Sequence, residues 1–314
     1  MATTSHLSPD IGRPLRVLIV RVGAMGDVLH AMPAVAALRE RHPDWFIGWA
    51  VEPRWLALLQ AGGDYSGAVE RGAAMPLIDR TYLAATRAWK RRPLSRGTLG
   101  EIAGLRRELR GERFDVCVDM QGSIRSAVIG RMAGAKQLVG PAEPREAPAR
   151  WLYEQRAQVT APHVIEQGCE LLGTAVGEVL SPATVTLPMD AFAERACDDL
   201  LARVLPGQER FVLLAPTAGW GAKQWPAERY GAVAAELGRA GYGVLVNAAS
   251  VGDAVAGAVV KASGGCASTA PCSMPEVIAL VRRASLVIAG DTGPLHLAAG
   301  LGRPVVGLYG PTDP

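Results

Sequence analysis

Short β-rich runs alternate with amphipathic helical windows along almost the whole chain, and that alternation leaves few folds open. Strands are expected at Arg16 to Val22, Phe46 to Val51, Asp115 to Asp119 and Lys136 to Val139. Helices are expected from Gly23–Pro33 to Arg41, and over Pro53 to Gln60, Ser123 to Met132 and His163 to Thr174. Strands joined by helical crossovers run parallel, so the pattern predicts an α/β fold with helices on both faces of its sheets. The composition loosens at VLSPATVTLP, Val179 to Pro188. A second series then follows, with helices at Ala191 to Val204, Pro226 to Ala240, Gly252 to Ala262 and Met274 to Arg283. Its strands are expected at Phe211 to Ala215, Tyr242 to Asn247 and Leu286 to Ala289. Two Rossmann-like domains, residues 1–180 and 181–314, with parallel sheets facing an interdomain cleft, form the simplest architecture. Residues 1–14 are polar and irregular, and disorder is expected there.

Three glycine-marked turns follow strands, where α/β folds place their ligands. In LVIAGDTGPLHLAAG, Leu286 to Gly300, an apolar run meets Asp291, Thr292 and Gly293 before a helical pattern. Free N–H groups at a helix start bind phosphate; Gly293 allows close approach, Pro294 suits the first turn, and Thr292 adds a hydroxyl. A phosphate ester is the ligand this stretch predicts. Asp291 and His296 accompany the anion site, and His296 reads equally well as a packed neutral histidine. In VGAMGDVLHAMP, Val22 to Pro33, Gly23 and Gly26 place Asp27 at the end of the first strand. Asp27 reads either as a helix cap or as a general base. In APTAGWGAKQWP, Ala215 to Pro226, Thr217, Gly219 and Gly221 form a loop able to wrap a phosphate. Lys223 there is one of only four lysines, against 29 arginines, and reads as a phosphate ligand or as a surface residue. The dinucleotide fingerprint G-x-G-x-x-G occurs nowhere, which disfavours an oxidoreductase.

Charge divides unevenly. Met1 to Thr160 holds 23 Lys and Arg against 16 Asp and Glu, whereas the remainder holds 10 against 14. Arg87, Lys90, Arg91, Arg92 and Arg96 crowd around Trp89, so an anionic partner is expected. Neither zinc-finger spacing nor an RNP-like aromatic motif accompanies them, so nucleic acid is not the expected partner. No uncharged apolar run reaches the 18 or so residues of a membrane span, and LRVLIVRV is too short for a signal peptide. These features predict a soluble cytoplasmic protein. The five cysteines, Cys117, Cys169, Cys197, Cys266 and Cys272, lack C-x-x-C spacing and are expected as buried free thiols.

Val17-Leu18-Ile19-Val20 with Met25-Gly26-Asp27-Val28-Leu29-His30 and Pro33-Ala34 resembles the N-terminal signature of the ADP-heptose:lipopolysaccharide heptosyltransferases, a GT-B glycosyltransferase family. Lys223-Gln224-Trp225-Pro226 is similar to that family's K-x-W-P element. Asp291-Thr292-Gly293-Pro294-Leu295-His296 and Tyr309-Gly310-Pro311-Thr312-Asp313-Pro314 are similar to its D-T-G-x-x-H and Y-G-P-T-D-P elements. Each motif alone is weak; four in order across the chain are specific. MGDVLHAMPA is most similar to the branch that adds the first heptose to the Kdo residue of the lipid A inner core.

The resemblance implies an inverting, metal-independent transfer from ADP-heptose, with no cofactor and Asp27 as general base. It implies that Lys223, Thr292 and Gly293 hold the diphosphate, with Thr217 and Gly219 in the same loop system. Asp291 and His296 would order the phosphate loop, and Asp253 would meet the donor ribose. Arg87, Lys90, Arg91, Arg92 and Arg145 fall where the family has acceptor-facing basic residues. The implied partners are ADP-heptose, Kdo-lipid A and the cytoplasmic face of the inner membrane, with the chain a peripheral monomer. Another nucleotide sugar, a later core acceptor, or nucleotide-sugar binding without catalysis are the competing readings. Family members continue for some tens of residues beyond Y-G-P-T-D-P, so a truncated or smaller C-terminal domain is expected. The loop Ala218 to Ala222 is also less hydroxyl-rich than the family's, which shifts phosphate contacts there toward backbone N–H groups.

Overall fold

In the computed structural model, which describes residues 13–62, 71–217 and 223–310, the strand–helix alternation builds two parallel sheets. The first contains β1 (Arg16–Val20), β2 (Phe46–Val51), β3 (Arg80–Leu83), β4 (Val116–Asp119), β5 (Gln137–Pro141) and β6 (Gln155–Ala157), in the order β3-β2-β1-β4-β5-β6. The second contains β7 (Phe211–Ala215), β8 (Gly243–Ala248), β9 (Ser268–Pro271), β10 (Leu286–Gly290) and β11 (Val305–Leu308), in the order β11-β10-β7-β8-β9. Every pairing between these strands is parallel. The helices between strands of the first series are α1 (Met25–Arg41), α2 (Thr86–Arg91), α3 (Arg96–Gly111), α4 (Ile124–Ala133) and α5 (Val164–Val176). Those of the second are α6 (Ala191–Val204), α7 (Ala227–Arg239), α8 (Ala254–Ala262), α9 (Met274–Arg283) and α10 (Gly293–Gly300).

Central strands are largely apolar because helices cover both faces: Val17, Leu18, Ile19 and Val20 of β1 are fully inaccessible, as are Val244, Leu245 and Val246 of β8. Burying each such side chain contributes about 1.5–3 kcal/mol. In the first core Tyr82 and Phe114 pack edge to face, with centroids 5.9 Å apart, beside Leu18 and Leu105. In the second, Trp225 meets Tyr230 edge to face at 5.1 Å beside Val244 and Val246. Helix starts are set by polar caps. The Asp190 carboxylate accepts Phe192 and Ala193 N–H at 2.9 and 3.1 Å to open α6, and a Ser123–Ser126 capping box opens α4.

The chain forms two compact units. The first comprises the described residues up to Val22, with Ala34–Val51 and Ile78–Ala183. The second comprises Gly23–Pro33, the described part of Glu52–Leu77, and the described residues from Thr184 on. Two segments that precede residue 180 therefore belong with the second sheet, and the first turns of α1, carrying Asp27, are one of them. Disorder was the expectation for residues 1–14; residues 1–12 lie outside the described residues, while Arg13 forms an ion pair with Asp115.

Candidate active site

In the second sheet the chain runs outward from β7 through β8 to β9, then returns to place β10 on the other side of β7. That reversal is a topological switch point, where the turns leaving the two adjacent strands diverge and open a crevice at their carboxyl ends. Ala289 of β10 is in register with Ala215 of β7, so Asp291 and Thr217 each stand two residues past that matched pair. Half-buried Thr217 therefore faces the same crevice mouth as the Asp291-Thr292-Gly293 turn. Thr292 takes the N-cap position of α10 in extended backbone, yet its side chain caps nothing; its hydroxyl donates to the Gly290 carbonyl at 3.2 Å. The positive end of the α10 dipole thus opens on this crevice without a carboxylate cap.

Four side chains join into one network beside that turn. Lys223 Nζ donates to Asp291 Oδ2 at 2.5 Å, and His296 Nε2 lies 3.2 Å from Asp291 Oδ1. His296 Nδ1 is in turn 3.2 Å from His30 Nε2, with the two rings edge to face at a centroid distance of 4.5 Å. The lysine and Asp291 side chains keep 24% and 19% of their surface, so their attraction is stronger than that of a surface pair yet open to a ligand. Sequence reasoning singled out Lys223, Asp291 and His296, and the fold brings all three together. It passed over His30, although His30 stands inside the MGDVLH motif, three residues from Asp27.

The first turns of α1 press directly against α10. A Cβ on Gly26 would lie 2.7 Å from His296 Cδ2, and a Cβ on Gly293 would lie 2.3 Å from Met25 Sδ. Both separations are below any real carbon contact, so glycine is what permits the approach. Asp27, in the same turn, accepts the Ala24 N–H through Oδ2 at 2.9 Å and is half-buried. It thus caps the start of its own helix while standing at the helix end that meets the Asp291-Thr292-Gly293 turn. Asp253 likewise caps α8: Oδ1 accepts Val255 and Ala256 N–H at 3.0 and 3.1 Å, and Oδ2 accepts Ala249 N–H at 3.3 Å. Gly219, and Pro311 to Pro314 of the last motif, lie outside the described residues.

In the first unit, Arg87, Lys90 and Arg91 are exposed on α2 and Arg92 follows it. Trp89 anchors that short helix, its indole N–H donating to Glu101 of α3 at 2.7 Å while its ring packs on the core. Exposed Arg145 follows β5, where the Glu146 N–H donates to the Gly122 carbonyl at 2.9 Å and the Glu146 carboxylate accepts Ile124 N–H at 2.8 Å. The same β4–α4 turn extends Arg125 to Thr86 at 3.3 Å, so Arg125 connects the Arg145 loop to the start of α2. No motif marked Arg125; only the fold reveals the connection. Beneath the turn, Asp119 is wholly buried and accepts from Tyr153 Oη at 2.8 Å, Ser126 Oγ at 3.0 Å, and the Gln121 and Gly122 N–H groups at 2.9 and 3.1 Å. Burial pushes its carboxyl above the usual range, against the pull of those four donors.

A family model described as glycosyltransferase family 9 (heptosyltransferase) matches residues 102–314. Lipopolysaccharide heptosyltransferase 1 of Salmonella typhimurium is 27% identical over 307 residues, covering 96% of this chain and 90% of that protein. The Pseudomonas aeruginosa protein of the same name is 26% identical over 304 residues, covering 96% and 80%. Among solved structures, E. coli heptosyltransferase WaaC with ADP-2-deoxy-2-fluoro heptose superposes with a TM-score of 0.76 at 24% identity, covering 96% of this chain and 90% of that one. A glycosyl transferase family 9 structure from Veillonella parvula gives a TM-score of 0.77 at 18% identity, covering 96% and 84%. The fold is that of the GT-B heptosyltransferases.

Proposed function

Since the chain belongs to glycosyltransferase family 9, the heptosyltransferases, we propose that it moves heptose from ADP-heptose to the Kdo of the lipid A inner core in lipopolysaccharide biosynthesis. The observation that carries this reading is the placement of Asp27 on a helix end in direct contact with the Lys223–Asp291–His296 network and the α10 N-terminus, all within one unit.

In this reading Asp27 takes the proton of the acceptor hydroxyl as its oxygen attacks the anomeric carbon. The bond from that carbon to the diphosphate breaks on the opposite face, and the configuration inverts. Base catalysis of this kind contributes about 10²- to 10⁴-fold. The departing ADP gains charge, which Lys223 and the Gly293 N–H neutralise from fixed positions, while Thr292 turns its hydroxyl from the Gly290 carbonyl toward the phosphate. Asp291 and His296 order this turn, Thr217 and Gly219 line the same loop system, and Asp253 serves the donor ribose. Arg87, Lys90, Arg91, Arg92 and Arg145 hold the anionic acceptor. The same basic surface gives peripheral attachment at the cytoplasmic face of the inner membrane. No helix among the described residues is long and apolar enough to cross a membrane.

The test is incubation with ADP-heptose and Kdo₂-lipid A, followed by mass spectrometry, with Asp27→Ala alongside. A heptose-sized mass gain that disappears in the variant is the expected result. A folded Asp27→Ala protein with undiminished turnover would remove Asp27 from the base role. Gain only on an acceptor already carrying heptose would assign a later core step.

A further inference from the structure

His30 belongs to no role assigned so far, yet it joins the network through His296. The charged partner at one end of the network favours one placement of the histidine protons. Lys223 donates to Asp291 Oδ2, and His296 Nε2 lies 3.2 Å from Oδ1 in an ion-pair contact; a bare nitrogen there would face the carboxylate lone pairs, so the proton belongs on Nε2. A neutral His296 with its proton on Nε2 has a bare Nδ1, which must accept, and the group within reach is His30 Nε2 at 3.2 Å. His30 therefore donates. Removing that donor makes the other tautomer of His296 available, in which Nε2 is bare and faces the carboxylate lone pairs. Asp291 then loses one of its two orienting partners, and the position of Lys223 is no longer set from both sides.

The surrounding backbone is shaped for this arrangement. Gly26 and His30 are four residues apart on α1 and share a face. On that face the missing Cβ of Gly26 makes room for the edge of the His296 ring, while His30 holds the ring's far nitrogen. Of the charged groups in this region, Asp291 and Lys223 reach the pair through His296, and Asp27 lies three residues before His30 on α1. All lie in the second unit.

We propose that His30 is a positioning residue. By donating to Nδ1 it holds His296 as the Nε2–H tautomer, and through His296 and Asp291 it sets the Lys223 ammonium that meets the leaving diphosphate. The proposal rests on the diphosphate site described above, but its primary test needs no donor sugar.

Long-range ¹H–¹⁵N spectra of the full chain at neutral pH report which nitrogen of each histidine carries the proton. Wild-type His296 should show the proton on Nε2. His30→Gln, whose amide nitrogen can replace Nε2 as donor, should keep that pattern; His30→Phe should lose it. Turnover should follow, with kcat/KM for ADP-heptose falling about 10- to 100-fold in His30→Phe, as expected for a misplaced charged group. The acceptor KM should remain unchanged, and His30→Gln should recover most of the loss. Wild-type His296 protonated on Nδ1 overturns the proposal without any variant, so a His30→Phe chain that fails to fold does not shield it. A folded His30→Phe with the wild-type tautomer, or a His30→Gln that behaves like His30→Phe, also overturns it. If the wild type transfers no heptose, the heptosyltransferase reading fails, and the tautomer spectrum still decides the role of His30.

Discussion

Gly26→Ala adds one methyl group, and its consequences follow from the geometry around His296. The new Cβ would stand 2.7 Å from Cδ2, 3.4 Å from Nε2 and 3.5 Å from Cγ of the imidazole. A carbon–carbon contact needs at least about 3.4 Å, so the ring must retreat by about 0.7 Å. Its Nδ1 is hydrogen-bonded to His30 at 3.2 Å and its Nε2 is in ion-pair contact with Asp291 at 3.2 Å, and both interactions weaken when stretched further. Losing one of them costs about 1 kcal/mol, while alanine in a helix is up to about 1 kcal/mol better than glycine. Stability should therefore change by no more than about 1 kcal/mol. Activity should not be spared, because Asp291 and Lys223 follow the ring, and a displacement near 1 Å costs about 10²-fold in a positioned site. The assay pairs steady-state transfer from ADP-heptose with thermal unfolding. The expected outcome is a near-native Tm with kcat/KM lowered about 10- to 100-fold. In a His296→Ala background the same substitution should cost little more, because there is no ring left to displace. A Gly26→Ala enzyme within twofold of wild type would refute the reasoning.

Lys223→Ala should lower kcat about 10²- to 10³-fold, and Lys223→Arg should recover little, since a planar guanidinium cannot occupy the position of a compact ammonium at 2.5 Å from Asp291; steady-state kinetics with ADP-heptose decide this. Neutralising Arg87, Lys90, Arg91 and Arg92 together should raise the acceptor KM and leave ADP affinity unchanged, and an equal loss of both, read by kinetics and calorimetry, contradicts the assignment. Asp119→Ala should destabilise the protein by about 3–5 kcal/mol, because Tyr153, Ser126 and two backbone N–H groups lose their acceptor in the core. Burial raises the Asp119 carboxyl above its unfolded value, so the folded state favours its protonated form. The stability tied to that proton is present at low pH and is lost as pH rises through the raised value. Asp119→Asn, which cannot titrate, should flatten this slope in urea midpoints measured from pH 4 to 8; an unchanged slope rules it out.

The interior of each sheet was legible because its residues carry the signal themselves. Strands β2 and β7 and helices α6 and α9 fall where the apolar patterns end, and β1, β4, β8 and β10 differ by at most two residues at either end. The strands that escaped, β3, β6, β9 and β11, are the four edges of the two sheets. An edge strand is covered on fewer sides, and these show it: RTYL and VVGL alternate or expose their residues, and QRA contributes one buried side chain. Without a fully buried run, nothing in such segments separates a strand from a loop; only pairing to a neighbour makes them strands. The helix α2 was read only as part of a basic cluster, and α3 beyond Arg96 was not read as a helix at all.

The site was legible to a different depth. Residues proposed to act through their own chemistry, Asp27, Lys223, Thr292 and His296, stood out because a carboxylate, a rare lysine or a glycine-marked helix start is unusual wherever it occurs. Residues that act by geometry did not. Gly26 was read as a turn residue, yet its structural role is to leave space for a ring 270 positions away in the sequence, and His30 matters only because that ring reaches it. Sequence spacing also tied Asp27 to the sheet whose strand precedes it, whereas contacts group Gly23–Pro33 with the second unit. That grouping has a mechanistic consequence. If Asp27 is the base and Lys223 holds the leaving group, the distance between bond-making and bond-breaking partners is fixed by packing inside one unit. That packing consists of Met25 on Gly293, Gly26 on His296, and His30 on His296. Substitutions at these contacts should therefore act on kcat, while the exposed arginines of α2 act on acceptor binding.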